Sequence, residues 1–185
     1  VLFTSISYYM IGLSSSPDRF FIFMLVLALA LNCAESMIIA ISTIAPNFIA
    51  GLSAGAGSFG GFMLLCGFFL LKKNIPNYWI WAHYLSFEKY GFEALMKNEY
   101  EGAEFDCSVQ EQIVDVNGTQ TAVEVCQCAF PDLNGDCVIS GTEVLTFYEY
   151  EDVNIWAWCA VLLGITIFFR FLFLLFLRFF NKGKR

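Results

Sequence analysis

The chain has 185 residues, of which 58% are hydrophobic and 18% aromatic, with a net charge of -7 and a mean hydropathy of +0.63. A soluble domain of this size would be nearer half apolar, so the composition excludes an ordinary water-exposed surface and points to a membrane protein. The charge is uneven: most acidic residues fall between Glu88 and Asp152, whereas Arg178 to Arg185 carry four basic residues and no acid. No basic stripe with interleaved aromatics marks a nucleic-acid surface.

The chain opens on Val1-Leu2-Phe3 with no initiator Met and no signal peptide, and it reads as a piece of something longer. Residues 1–13 are apolar but too short to span, so they read as the end of a transmembrane helix. Residues 19–45 form a span candidate closed by Pro46-Asn47. Its apolar run, 20–45, reaches roughly 39 Å at about 1.5 Å per residue. Residues 51–71 form a second, bounded by Lys72-Lys73. Gly51, Gly55, Gly57, Gly60, Gly61 and Gly67 let transmembrane backbones approach closely there.

Residues 76–100 are amphipathic. Ile80, Tyr84, Phe87, Gly91 and Leu95 share one helical face, while Lys89, Glu93 and Lys97 line another. Tyr78, Trp79 and Trp81 at its start suit a helix at the membrane interface. Residues 101–154 read as a hydrophilic loop, residues 155–180 as the strongest span, and residues 181–185 as a basic tail. The positive-inside rule puts that tail in the cytoplasm and Lys72–Asn154 outside.

Two features of the loop agree with an outside location. Asn117-Gly118-Thr119 is an N-glycosylation sequon, readable only in the secretory lumen, where it would make the protein a glycoprotein. Cys107, Cys126, Cys128 and Cys137 are an even set for disulfides, and sequence leaves their three connectivities open. Cys33, Cys66 and Cys159 lie in spans and read as small packing residues.

Chemistry-bearing motifs are few. No phosphate loop and no nucleophile–base pair is present, so this piece carries no catalytic residue and needs no cofactor or metal of its own. His83, the single histidine, reads as an interfacial or packing residue. Glu35, with Asn32 one turn before it, is a carboxylate inside a span and must face protein or water; Arg170 has the same status. Asp132, Asn134, Asp136 and Glu143 match most of a calcium loop, but Cys137 stands where its glycine belongs. An acidic turn capping a helix over Ser140–Tyr150 is the preferred reading, because Ser140 and Glu143 have capping-box spacing.

The order of these parts resembles one family. Glu35-Ser36-Met37, Pro46-Asn47-Phe48, Gly51-Leu52, Gly55-Ala56-Gly57 and Gly67-Phe68-Phe69 look like the fourth and fifth transmembrane helices of G-subfamily (white-brown complex) ABC half-transporters, plant lipid-exporter type. Tyr90-Gly91-Phe92 and Asn98-Glu99-Tyr100 resemble the re-entrant segment that follows, and Ile139-Ser140-Gly141-Thr142-Glu143 the end of the last extracellular loop.

The resemblance implies the C-terminal half of an all-α, ABC-2 type transmembrane domain with a disulfide-bearing extracellular loop. It implies a homo- or heterodimer in the plasma membrane, driven by ATP and Mg in a nucleotide-binding domain outside this chain. Ala56, Phe59 and Met63 would then face a substrate cavity, and Phe68 and Phe69 would form its valve. The loop disulfide would join Cys107 to Cys137, with Cys126 or Cys128 pairing elsewhere. The expected function is export of lipids or other hydrophobic compounds, such as cuticular wax or cutin precursors. A tetraspanin-like scaffold without transport is the alternative, although the loop lacks a Cys-Cys-Gly signature.

Overall fold

A computed structural model describes residues 2–13, 16–116, 119–128, 130 and 137–180. It divides into two units, residues 1–99 with 153–185, and residues 100–152.

The first unit is helical. Helices α1 (Leu2–Ile11), α2 (Pro17–Ile44) and α3 (Phe48–Leu65) are followed by a 3-10 turn (Lys72–Asn74) and by α4 (Ile80–Leu85), α5 (Phe87–Tyr100) and, later in the chain, α7 (Ile155–Phe180). Of these, α2, α3 and α7 are long and apolar enough to cross a membrane. Pro17 and Asp18 start α2, where a missing N–H and a negative charge suit the first turn. Ala45 ends it with extended backbone, as expected for a residue before Pro46. Asn154 caps α7: its Oδ1 accepts from the backbone N–H of Trp156 at 3.1 Å and of Ala157 at 3.4 Å.

The spans have a definite order. Helix α3 runs antiparallel to α2, bringing Gly51 against Ala45 and Gly55 against Ile38. Helix α7 runs parallel to α2: Cys159 clusters with Val26, Leu162 with Cys33, and Arg170 reaches Ser36. Helix α5 fills the space beside this pair with Phe87 and Ala94, both fully or nearly fully buried. Cys33, Cys66 and Cys159 are buried free thiols. Lipid tails give helices no hydrophobic drive to associate, so close packing of small groups holds this bundle.

Several expectations need correction here. Helix α3 starts at Phe48 and ends at Leu65, well short of residue 71. Gly67 turns the chain with φ +105°, a conformation side chains disfavour. Among the glycines of α3, only Gly51 and Gly55 pack closely; Gly57, Gly60 and Gly61 face open space. The amphipathic segment is two helices broken at Ser86, whose backbone is extended. Its charged face is not solvated: Lys89 and Glu93 are each 5% exposed. They pair at 3.6 Å, and the Lys89 ammonium lies over the rings of Tyr84, Tyr90 and Trp158 at 4.4, 4.8 and 5.4 Å. Such aromatic faces stabilise a desolvated cation.

The second unit holds strands within the expected loop. β1 (Glu104–Asp106) pairs antiparallel with β4 (Val138–Ser140), and β2 (Ser108–Val116) pairs antiparallel with β3 (Thr119–Gln127). Helix α6 (Gly141–Tyr148) follows. A disulfide joins Cys107 to Cys128, correcting the Cys107–Cys137 pairing. The register explains it. Ser108 faces Gln127, so Cys107 and Cys128 flank the hairpin one step further on, with Cα atoms 4.9 Å apart, inside disulfide reach. Cys137 is disulfide-bonded too, and its carbonyl accepts the Cys107 N–H at 2.9 Å. The capping box is formed: Ser140 Oγ accepts from Thr142 N–H, and Glu143 Oε2 accepts from Ser140 N–H at 3.1 Å. That occupies the carboxylate of the calcium-loop alternative. Asn117, Asp132, Asn134, Asp136, the side chain of Cys126 and the basic tail 181–185 lie outside what is described.

Candidate functional site

The α2–α3 pair makes a groove. Ile38, Gly51, Leu52, Gly55, Ala56 and Phe59 line a hollow of about 250 Å³. A neighbouring hollow of about 300 Å³ shares Ile38, Gly51 and Leu52 and extends to Ser42, Pro46 and Asn47 at the helix turn. The glycines create this space, because a Cβ there would approach α2. Ala56 and Phe59 thus belong to one apolar surface. Phe59 also turns its ring edge-on to the buried Phe87, at 5.8 Å. Met63 is one turn further along α3 and exposed, outside that hollow.

Phe68 and Phe69 do not lie on α3. They follow the Gly67 turn, each about half exposed, with their rings edge-on at 4.8 Å. Phe68 also packs on Phe92 of α5 at 5.5 Å. The turn rests on a set of side-chain bonds. His83 Nδ1 donates to the Leu65 carbonyl at 2.6 Å, and Ser86 Oγ donates to the Phe62 carbonyl at 3.2 Å. A carbonyl only accepts, so the His83 proton sits on Nδ1. The histidine is a helix cap, a role its position between aromatic residues did not signal.

Beside this cap, Glu88 has a buried carboxylate oxygen with no hydrogen-bond partner among the described residues. Burial pushes its carboxyl above the ordinary range. At the far end of α5, Asn98 and Glu99 clasp the start of the chain. Asn98 Nδ2 donates to the Arg19 carbonyl at 3.0 Å, the Tyr8 hydroxyl donates to Glu99 Oε1 at 3.2 Å, and Arg19 Nη1 donates to the Glu99 carbonyl at 3.4 Å. This is the physical role of the Asn98-Glu99-Tyr100 motif.

The intramembrane polar residues split. Asn32 Nδ2 donates to the Ala28 carbonyl at 2.8 Å, within its own helix. Glu35 is exposed. Arg170 Nε donates to Ser36 Oγ at 3.0 Å, joining α7 to α2. Among the described residues, no group of three or more His, Cys, Asp or Glu could hold a metal ion.

Three helices long and apolar enough to cross a membrane, with α3 antiparallel to α2 and α7 parallel to it, define a multi-span membrane protein. The chain belongs to the ABC-2 type transporter family, whose membrane domain its residues 1–100 match. It is similar over its whole length to plant ABC transporters of the G family. The member STR of Petunia hybrida is 30% identical across 99% of this chain and 22% of that protein. Member 8 of Arabidopsis thaliana is 30% identical across 100% and 28%. Member 1 of Petunia hybrida is 31% identical across 92% and 23%. The chain spans about a quarter of the length of these relatives.

Proposed function

We propose that this chain is the membrane-crossing part of an ATP-driven exporter of lipids or other hydrophobic compounds, with cuticular wax and cutin precursors as the first substrates to test. The observation that carries the reading is the apolar hollow between α2 and α3, lined by Ile38, Gly51, Leu52, Gly55, Ala56 and Phe59. A concave, apolar surface with few polar groups suits an apolar or amphipathic ligand. Ala56, Phe59 and Met63 face the substrate, and Phe68 with Phe69 closes the outer end.

The engine lies outside this chain, in a nucleotide-binding domain that holds ATP and Mg. The transporter is a homo- or heterodimer of half-transporters in the plasma membrane. The parallel course of α2 and α7, with α3 antiparallel, supports placing the C-terminal ends of α2 and α7 on one side of the membrane; the basic tail makes that side the cytoplasm, with Lys72–Asn154 outside and Asn117 glycosylated. Helices α4 and α5 form a re-entrant segment, whose His83 and Ser86 cap α3 from the outer side. The scaffold alternative lacks support from a chain that belongs to a transporter family.

The test is the double variant Phe68→Ala with Phe69→Ala in the full-length transporter, reconstituted in proteoliposomes. Losing one aromatic pair of about 1 kcal/mol and its seal lowers lipid export about fivefold or more while ATP hydrolysis persists. Unchanged export would sink the valve assignment.

A further inference from the structure

The two hollows between α2 and α3 are continuous, since Ile38, Gly51 and Leu52 line both. From Asn47 to Phe59 they follow α3 for about 18 Å, at about 1.5 Å per residue. The helices are close beneath them: a Cβ on Gly51 would stand 3.2 Å from that of Ala45, and one on Gly55 4.0 Å from Ile38 Cγ1. At about 300 and 250 Å³, each hollow is at or below the lower end of small-molecule sites, about 300 Å³. Together they take one slim chain and not the paired chains of a phospholipid. Their two ends differ. The Phe59 end is lined by apolar side chains alone, whereas the turn end holds Ser42 and Asn47.

These two side chains set conditions on a ligand. Ser42 gives its single proton to the Ile39 carbonyl at 2.8 Å, so its Oγ has only lone pairs left to offer. Asn47 stands at the N-cap of α3 with extended backbone, yet its side chain caps nothing and makes no hydrogen bond among the described residues. Its amide is left to donate and to accept. A head group that serves both residues must itself donate. That excludes a bare hydrocarbon, and it excludes a carboxylate, which only accepts. An ammonium donates, but it would sit at the positive end of the α3 dipole, and no acidic side chain is among those lining the hollow. An uncharged hydroxyl meets every condition.

We propose that Ser42 and Asn47 form a head-group subsite for the hydroxyl of a single-chain lipid, a long-chain alcohol, whose chain lies along Gly51, Gly55, Ala56 and Phe59. The head sits at the Pro46–Asn47 turn and the chain points into the apolar layer, the same orientation that such a molecule takes in a bilayer. The proposal rests on the exporter reading and narrows its substrates. It places the alcohol ahead of the hydrocarbon and of the fatty-acid anion of the same length. Ser42 and Asn47 then determine specificity through the head, while the missing side chains of Gly51 and Gly55 leave room for the chain.

The experiment uses the full-length transporter in nanodiscs of phosphatidylcholine, which has no hydroxyl donor of its own. A long-chain alcohol with a photoreactive diazirine in mid-chain is crosslinked and mapped by mass spectrometry, and hexadecanol, its methyl ether and hexadecanoate compete with it. The expected result is crosslinking within residues 38–59. Hexadecanol competes about fivefold or more better than the ether, which accepts but cannot donate. Ser42→Ala and Asn47→Leu each bring the alcohol towards the ether and leave the ether where it was, which also shows that the variants fold. The comparison of ligands on the parent protein stands even where a variant does not fold. Equal competition by alcohol and ether, stronger competition by hexadecanoate than by hexadecanol, or crosslinks confined to other segments overturns the proposal. The exporter reading fails separately, when this binding pattern stands but the full-length protein neither hydrolyses ATP nor moves hexadecanol.

Discussion

Gly141→Ala tests how the second unit is held together. The backbone of Gly141 is not in a left-handed conformation, so the constraint is space. A Cβ there would sit 1.8 Å from the Tyr100 carbonyl oxygen, 2.8 Å from its carbon and 3.1 Å from the Ala103 oxygen. All three atoms are backbone, so no side chain can swing away. The turn must move by more than an ångström. That movement breaks the Gly141 N–H bond to the Ala103 carbonyl, now 2.7 Å, and disturbs the adjacent Glu104–Ser140 pairing and the Ser140 capping box. One backbone hydrogen bond contributes about 1 kcal/mol and the cap about 1 kcal/mol. Strain adds about 1–2 kcal/mol, and the stiffer unfolded chain returns about 0.5 kcal/mol. The net loss is about 2.5–3.5 kcal/mol, or a roughly 60- to 300-fold rise in local opening, at about 1.4 kcal/mol per tenfold. Hydrogen exchange of the α6 amides in the full-length protein reads this directly. Protection of α6 unchanged within about twofold would refute the reasoning, because the turn would then have yielded at no cost.

Two further substitutions probe the buried charges of α5. Glu93→Gln leaves the Lys89 ammonium buried without its counter-charge and costs about 3–5 kcal/mol, whereas Lys89→Met with Glu93→Leu costs far less; thermal inactivation of the detergent-solubilised protein compares them, and equal losses would show that the pair is not coupled. Glu88→Gln acts in the other direction. A carboxyl raised in the folded state binds its proton at a pH where the unfolded chain has lost it, so stability falls as pH rises from the ordinary carboxyl range through the raised value. The Gln variant is more stable at neutral pH and loses that slope; a melting temperature with the same pH dependence as the parent would contradict the assignment.

How far the sequence reveals this molecule differs by element. Helices α2 and α7 are legible because their apolar runs end at real chemical breaks, Pro46 on one side and Asn154 on the other. The end of α3 is not, since Cys66 to Leu71 stays apolar while Gly67 turns the backbone. Hydropathy registers polarity and misses a φ of +105°. The burial of Lys89 and Glu93 is hidden for a related reason. Their i,i+4 spacing places them on one helical face, and the rings that make burial tolerable include Trp158, far away in sequence. The Cys107–Cys128 disulfide follows from a hairpin. Asn117-Gly118 between two runs containing Val, Ile and Thr carries that signal, overlapping the glycosylation sequon. Ala56 and Phe59 are carried by the family resemblance, whereas the link from Arg170 to Ser36 needs the parallel packing of α7 on α2.

The placement of Phe68 and Phe69 after the helix, not on it, has a physical consequence for the proposed valve. Helix α3 has 18 residues and is therefore about 27 Å long, short of an apolar layer of about 30 Å. Its final carbonyls end where water is scarce, and each one left unsatisfied there would cost several kcal/mol. Three of them are met by side chains: Phe62 by Ser86, Leu65 by His83, and Met63 by the Cys66 thiol at 3.1 Å. Helices α4 and α5 thus finish α3 chemically as well as covering it. Because the same segment supplies Phe92 to the Phe68 ring, the aromatic pair is held from both sides of the Gly67 turn. A shift of α4 and α5 that breaks the His83 and Ser86 bonds would move the two phenylalanines with it. The proposed valve is therefore coupled to α4 and α5 through a helix end that cannot be left bare.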